Sequence, residues 1–137
     1  MFQRDFVIPT SGEGQIVDLT AQVAGAVRES GLSSGIATVF VGGSTAAVTT
    51  IEYEPGVLED LVRALNVIAP RDITYAHDRT WGDGNGLSHV RAALVGPSLS
   101  IPFSDGLLLL GTWQQVVLLE LDIRAARSRR VTVTLTD

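Results

Sequence analysis

The stretch Arg130-Val131-Thr132-Val133-Thr134-Leu135-Thr136 alternates without a break, apolar side chains on one face and threonines on the other. A period of two is the mark of a strand with one face buried and the other more exposed. Upstream, Ser98 to Phe103 reads as a strand, and the apolar run Leu107 to Asp122 reads as a longer buried one. Gly111 interrupts that run, where a bulge or a close backbone approach is expected. Further back, Gly35 to Val41 and Thr45 to Ile51 are rich in β-branched residues, and Gly42-Gly43-Ser44 between them predicts a hairpin turn. Phe2 to Pro9 and Gln15 to Leu19 add shorter extended pieces.

Helical spacing fills the gaps. Leu19, Val23 and Val27 recur every four residues, with Asp18 or Thr20 available as a cap and Gly31 placed for a left-handed C-terminal cap. Pro55 opens a second helix whose stripe is Leu58, Leu61, Val62, Leu65 and Ile68, ended by Pro70. Gly86 to Val95 predicts a short third helix with Leu87, Val90 and Leu94 inward. Asp72 to Asn85 is polar and turn-rich and predicts a loop. The fold class that results is α+β: one compact domain over residues 1–137, a mostly antiparallel sheet packed with two longer helices and one short one.

Composition narrows the chemistry. The 137 residues include no cysteine, which excludes disulfide scaffolds, thiolate metal sites and thiol nucleophiles. All ten bases are arginine, so a lysine Schiff base and a Walker lysine are excluded too. Fifteen acids against ten bases argue against nucleic acid as a partner. Nothing near the N-terminus resembles a signal peptide. Leu107 to Leu121 falls short of the ~20 apolar residues of a membrane span. A cytoplasmic protein with no membrane partner is the expectation.

Few residues remain to carry chemistry. The two histidines, His77 and His89, flank the polar loop. If residues 85 to 95 are helical, Asn85 and His89 share a face, and His89 projects toward the loop that carries His77. The pair reads either as two ligands of a divalent metal, completed by Asp78, Asp83 or Glu52, or as two unrelated surface or capping histidines. Gly42-Gly43-Ser44-Thr45 reads as an anion-binding loop or as a plain turn. Glu52, at the end of a strand, reads as a general base or a ligand, or as a solvated carboxylate. The acids Glu54, Glu59 and Asp60 suit a helix N-terminus. Arg127, Arg129 and Arg130 read as a phosphate clamp or as a charged strand edge.

Longer motifs bring these together. Ser98-Leu99-Ser100-Ile101-Pro102-Phe103-Ser104-Asp105-Gly106 is followed by Gly111-Thr112-Trp113-Gln114-Gln115. Before them stand Ser44-Thr45-Ala46, Glu52, Tyr75-Ala76-His77-Asp78, Asn85 and Ser88-His89-Val90-Arg91-Ala92, and after them Ser128-Arg129-Arg130-Val131. From about Phe2 to Thr136 the chain resembles the YjbQ family, a UPF0047-type family whose members are described as secondary thiamine-phosphate synthase enzymes. The resemblance implies a compact α+β domain that assembles as a homotrimer, with sites around histidines near subunit contacts. It implies zinc or another divalent metal, with magnesium as an alternative beside a diphosphate substrate. The implied activity is a weak transfer that joins hydroxymethylpyrimidine diphosphate to a thiazole phosphate and releases pyrophosphate, so the partner would be a small phosphorylated metabolite.

Carried onto this chain, the resemblance makes His77 and His89 metal ligands or acid–base groups, beside Glu52. Ser44, Thr45, Asn85, Arg91, Arg129 and Arg130 become substrate-binding residues. The chain departs from the family where His-Thr-Thr or His-Thr-Ser usually stands, reading Gly43-Ser44-Thr45, and where a further histidine precedes His89 by two, reading Leu87. A three-histidine zinc site therefore cannot form within one chain. A neighbouring subunit, Glu52 or Asp78 would have to complete it. The alternative is a trimer that binds metal or a small ligand without catalysis.

Overall fold

A computed structural model describes residues 1–137. The elements run β1 (Phe2–Thr10), β2 (Ile16–Asp18), α1 (Thr20–Ser30), β3 (Ser34–Val41), β4 (Ala46–Ile51), α2 (Pro55–Ile68), α3 (Ala76–Trp81), α4 (Gly86–Val95), β5 (Ser98–Ser104), β6 (Leu107–Leu108), β7 (Gln115–Glu120) and β8 (Arg127–Thr136). They form a five-stranded sheet in the order β1-β8-β3-β5-β6 and a three-stranded sheet in the order β2-β7-β4. Every strand pairing is antiparallel. The α+β class and the antiparallel sheet are as the sequence predicts.

Three layers result. Alternate residues of β8 (Val131, Val133, Leu135), β3 (Ala37, Val39, Val41) and β5 (Ile101, Phe103) turn inward and meet Val116 and Leu118 of β7, Ala46 and Val48 of β4 and the buried stripe of α1. The other face of the small sheet, with Ala47, Val117 and Leu119, packs on Leu65 of α2 and Ala92 of α4. β7 is thus buried on both faces, which is why its sequence is a continuous apolar run rather than an alternation.

The helix ends follow their sequence signals. Asp18 Oδ1 accepts hydrogen bonds from Thr20 N at 2.9 Å and Thr20 Oγ1 at 2.7 Å as α1 begins, and Gly31 closes it with φ 69°. Pro55 opens α2, and Glu54 accepts from Gly56 N and Val57 N at 2.8 and 2.9 Å.

Five expectations are corrected. β3 and β4 are not a hairpin. They lie in different sheets, and Gly42-Gly43-Ser44 carries the chain from one to the other. The polar stretch 72–85 contains a fourth helix, α3, closed by Gly82 at φ 65°. The run 107–122 is broken into β6 and β7 around Gly111. On α4, Val90 and Leu94 are exposed, whereas Leu87, Arg91 and Ala92 are buried, because the helix packs through the neighbouring stripe. On α2, Ile68 is exposed at the helix end, so the buried stripe stops at Leu65. No helix is long and apolar enough to cross a membrane.

Candidate functional site

Beneath the crossover loop lies a buried polar network built from β7, β8 and the start of α4. Glu120, at the end of β7, is fully buried. It accepts from Arg129 Nε at 2.8 Å and Nη2 at 2.5 Å, from Thr10 Oγ1 at 2.6 Å and from Asp122 N at 3.0 Å. Burial pushes its carboxyl upward, but the bonds from Arg129, Thr10 and the Asp122 amide outweigh that and hold it below the usual carboxylate range. Asp122, also buried, accepts from Thr45 Oγ1 at 2.9 Å, Asn85 Nδ2 at 3.2 Å, Arg124 N at 2.9 Å and Arg127 Nη1. Burial opposes its ionisation as well, and the Arg124 amide, Asn85, Thr45 and Arg127 together keep its carboxyl low. Both acids are anions matched to donors, the condition under which charge is tolerated inside a protein.

This network floors a hollow of about 300 Å³ lined by Gly43, Ser44, Thr45, Asp83, Asn85, His89, Asp122, Arg124 and Arg127, with no hydrophobic residue among them. A second hollow, lined by Gly43, Ser44, Ala46, His89, Ala92, Ala93 and Pro97, adjoins it across Gly43, Ser44 and His89. The histidines meet at the edge: the His77 and His89 rings lie 4.4 Å apart, centroid to centroid, tilted by 53°. α3 carries His77 and α4 carries His89. Asp78 joins the two helices by accepting from Gly86 N at 3.0 Å.

His77 Nε2 is buried and makes no hydrogen bond. It lies 3.3 Å from Asp83 Oδ1, an ion pair when the ring is protonated. The Asn85 amide is the main cause of a lowered Asp83 carboxyl, with His77 adding to it against partial burial. Ligand atoms of His77, Asp78 and Asp83 lie within 4.8 Å of one another. An imidazole nitrogen without a hydrogen bond and two nearby carboxylates are a donor set that fits a divalent metal of the zinc type, and His89, expected as a ligand, packs beside that group without belonging to it.

The sequence candidates divide. His89, Ser44, Thr45 and Asn85 line the hollow, and His77 packs against His89 behind it without lining it. Asn85 is fully engaged, its Oδ1 accepting from Ser88 Oγ at 2.8 Å and Ile123 N at 3.2 Å, so it holds the wall in place. Arg129 lies directly under Gly43. Glu52 does not join them. It follows β4 at the end away from Ser44, roughly 20 Å along the strand at ~3.3 Å per residue, and lines a separate hollow with Asp18, Tyr53, Glu54 and Trp113. Arg91 is buried on the core side of α4, bonded to Glu13, Asn66 and the Ala69 carbonyl. Arg130 is exposed on the opposite face of β8 from Arg129, as strand alternation requires.

Asp122 and Arg124 escaped the sequence reading, and Arg127 was not separated from its neighbours there. A signal existed. Glu120 and Asp122 end an apolar run, where unpaired carboxylates are costly, and Arg127 and Arg129, two apart on one strand face, are the partners they need.

The whole chain has relatives. Residues 4–137 match the family described as UPF0047 protein YjbQ-like. The chain is 35% identical over 134 residues to a UPF0047 protein of Methanothermobacter thermautotrophicus, covering 98% of this chain and 91% of the relative. Its fold is similar to the crystal structure of a YjbQ/UPF0047 family protein from Clostridium acetobutylicum, at 36% identity and TM-score 0.87 over 97% of this chain and 99% of the other. A hypothetical protein from Aeropyrum pernix superposes with TM-score 0.89 at 30% identity, covering 99% and 98% of the two chains.

Proposed function

Because this chain belongs to the UPF0047 family of YjbQ-like proteins, we propose that the hollow beside His77 and His89 binds a small phosphorylated metabolite. We propose further that it carries the transfer the sequence resemblance implies, joining hydroxymethylpyrimidine diphosphate to a thiazole phosphate. One observation supports this above the others. The hollow has no hydrophobic residue in its lining, and it gathers Arg124 and Arg127 with His89, whose ring packs on His77. Its volume of about 300 Å³ is at the lower end for metabolite sites.

In that reaction the thiazole nitrogen attacks the methylene carbon of the pyrimidine. The C–N bond forms as the C–O bond breaks, and the electron pair leaves with pyrophosphate. No protein nucleophile is required, in keeping with a chain that lacks both cysteine and lysine. The need is for positive charge around the departing oxygens. Arg124, largely exposed at the rim, and Arg127, anchored on Asp122, are placed to bind them. A divalent cation held by His77, Asp78 and Asp83 would add to that neutralisation. Thr45 and Asn85 hold Asp122, and through it Arg127, in position.

The working unit in this proposal is a homotrimer in the cytoplasm. Trp81 and Trp113, each 72% exposed, and Leu94 and Phe40 are large apolar side chains left exposed on separate elements, which further copies would cover. A monomeric mass by light scattering would contradict this.

A second reading, ligand binding without turnover, is favoured by the position of Glu52, which leaves the hollow without the carboxylate base expected from the sequence. Incubating the purified chain with both substrates and either magnesium or zinc separates the two. The enzyme yields thiamine phosphate and pyrophosphate in equal amounts. His89→Ala and Arg127→Ala lower the rate by about tenfold or more, and Glu52→Gln leaves it unchanged. Absence of product, together with failure to complement a thiamine-phosphate synthase deletion, removes the enzyme and leaves the binding protein.

A further inference from the structure

Arg129 uses only two of its three guanidinium nitrogens. Nε and Nη2 reach Glu120, and Nη2 also donates to the Thr45 carbonyl at 3.1 Å and Thr45 Oγ1 at 2.8 Å. Nη1 makes no hydrogen bond within the chain, although the side chain is only 2% exposed. Nη1 is not sealed in, because His77 Nε2 is the one fully enclosed side-chain nitrogen or oxygen without a partner, so the two Nη1 donors are open to solvent or a ligand.

Gly43 stands over that nitrogen. A Cβ at this position would lie 3.0 Å from Arg129 Nη1, and the backbone there has φ +143°, a conformation side chains rarely adopt. With only a hydrogen present, the approach to Nη1 from the crossover loop stays open. Any side chain would lie across it. Gly43 and Ser44 line both adjoining hollows, with His89 opposite.

We propose that Gly43 is a specificity-determining residue: it opens a slot over Arg129 Nη1 through which one oxygen of a phosphate-class anion is bound. Ser44 Oγ and the His89 ring flank the slot, and Arg127 lies farther along the same wall. The charges balance: Arg124, Arg127 and Arg129 stand against Glu120, Asp122 and Asp83, so an arriving anion meets no net negative charge on this wall. Charge-assisted N–H···O bonds to an oxyanion are short and strong in such a setting. This inference rests on reading the hollow as an anion site, and adds the atom that grips the anion and the residue that admits it.

The test is a titration of the isotope-labelled full chain with inorganic phosphate, following the arginine side-chain resonances and measuring affinity by calorimetry. The expected result is a shift of the Arg129 Nη1 signals. Gly43→Ala should weaken binding by about tenfold or more, and Gly42→Ala, whose Cβ would meet nothing closer than Phe40 Cε1 at 3.9 Å, should bind as the parent does. Shifts confined to Arg124 and Arg127, or undiminished binding by Gly43→Ala, would overturn the slot and leave the hollow as an anion site. No phosphate binding at any concentration reached would remove both. Should Gly43→Ala fail to fold, the Arg129 resonances of the parent chain decide alone.

Discussion

Arg129 and Glu120 meet end to end inside the protein, two parallel N–H···O bonds of 2.8 and 2.5 Å between side chains that are 2% and 0% exposed. The pair ties β8 of the large sheet to β7 of the small one. It fixes how the two sheets stand against each other at the end where the hollow opens. Thr10 on β1 and Thr45 before β4 bond to the same pair, so four segments converge on one ion pair.

Removing one member strands the other as a buried charge. Glu120→Ala is expected to cost about 3–5 kcal/mol, the range for breaking a buried pair from one side. Denaturant unfolding measures it. A loss under about 1 kcal/mol would mean that water reaches Arg129 and screens it.

Acid should act on the same network. Glu120 and Asp122 ionise at lower pH in the folded chain than in the unfolded one. As pH falls, the unfolded chain takes up their protons first and is favoured. Their contribution to stability is therefore whole above about pH 5. It drains away as pH drops through their depressed folded-state values. Melting curves from neutral pH downward should show that loss, and Asp122→Asn should flatten its slope. An unchanged slope in the variant would assign the acid sensitivity to other carboxylates.

Gly35 makes a sharper packing prediction. It lies in β3, next to the strand end of β8, at φ +153°, and a Cβ there would fall 2.0 Å from the Thr136 carbonyl oxygen. Backbone cannot yield as a flexible side chain does, so strain and steric overlap add. Gly35→Ala should lose at least about 2 kcal/mol. Gly31→Ala, with open space around its Cβ and only the left-handed φ to bear, should lose about 1 kcal/mol. Equal losses at the two positions would show that the β8 end moves aside.

What the sequence made legible was local. The four-residue spacing of Leu19, Val23 and Val27 gave α1, because one face of one helix decides burial there. The i, i+4 relation of Asn85 and His89 turned His89 toward His77, since helix geometry alone fixes that direction. What stayed hidden depends on which strands pair. Gly42-Gly43-Ser44 suits a hairpin as well as a crossover between sheets, and only the competition of β8 and β7 for β3 and β4 decides. Glu52 was misplaced for the related reason that a strand's two ends are equivalent in sequence but a strand length apart in space. Arg91 and Arg130 carry the same charge as Arg129, and their faces depend on packing that no motif encodes.

The histidine pair supports the last prediction. Its rings pack 4.4 Å apart, and His77 Nε2, which has no hydrogen-bond partner of its own, shares a cluster of ligand atoms with Asp78 and Asp83. Binding of zinc to the folded chain alone should raise its melting temperature by mass action, by an amount set by the zinc concentration over its dissociation constant. Untagged protein dialysed against zinc is expected to hold about one ion per chain. His77→Ala with His89→Ala should abolish both the ion and the shift, because two carboxylates left at a half-exposed rim bind zinc weakly. Asp83→Asn should lower affinity while keeping one ion, since it removes an anionic oxygen but leaves His77 and Asp78. Zinc bound equally by the double histidine variant would place the metal elsewhere, and the pair would then be a packing contact between α3 and α4.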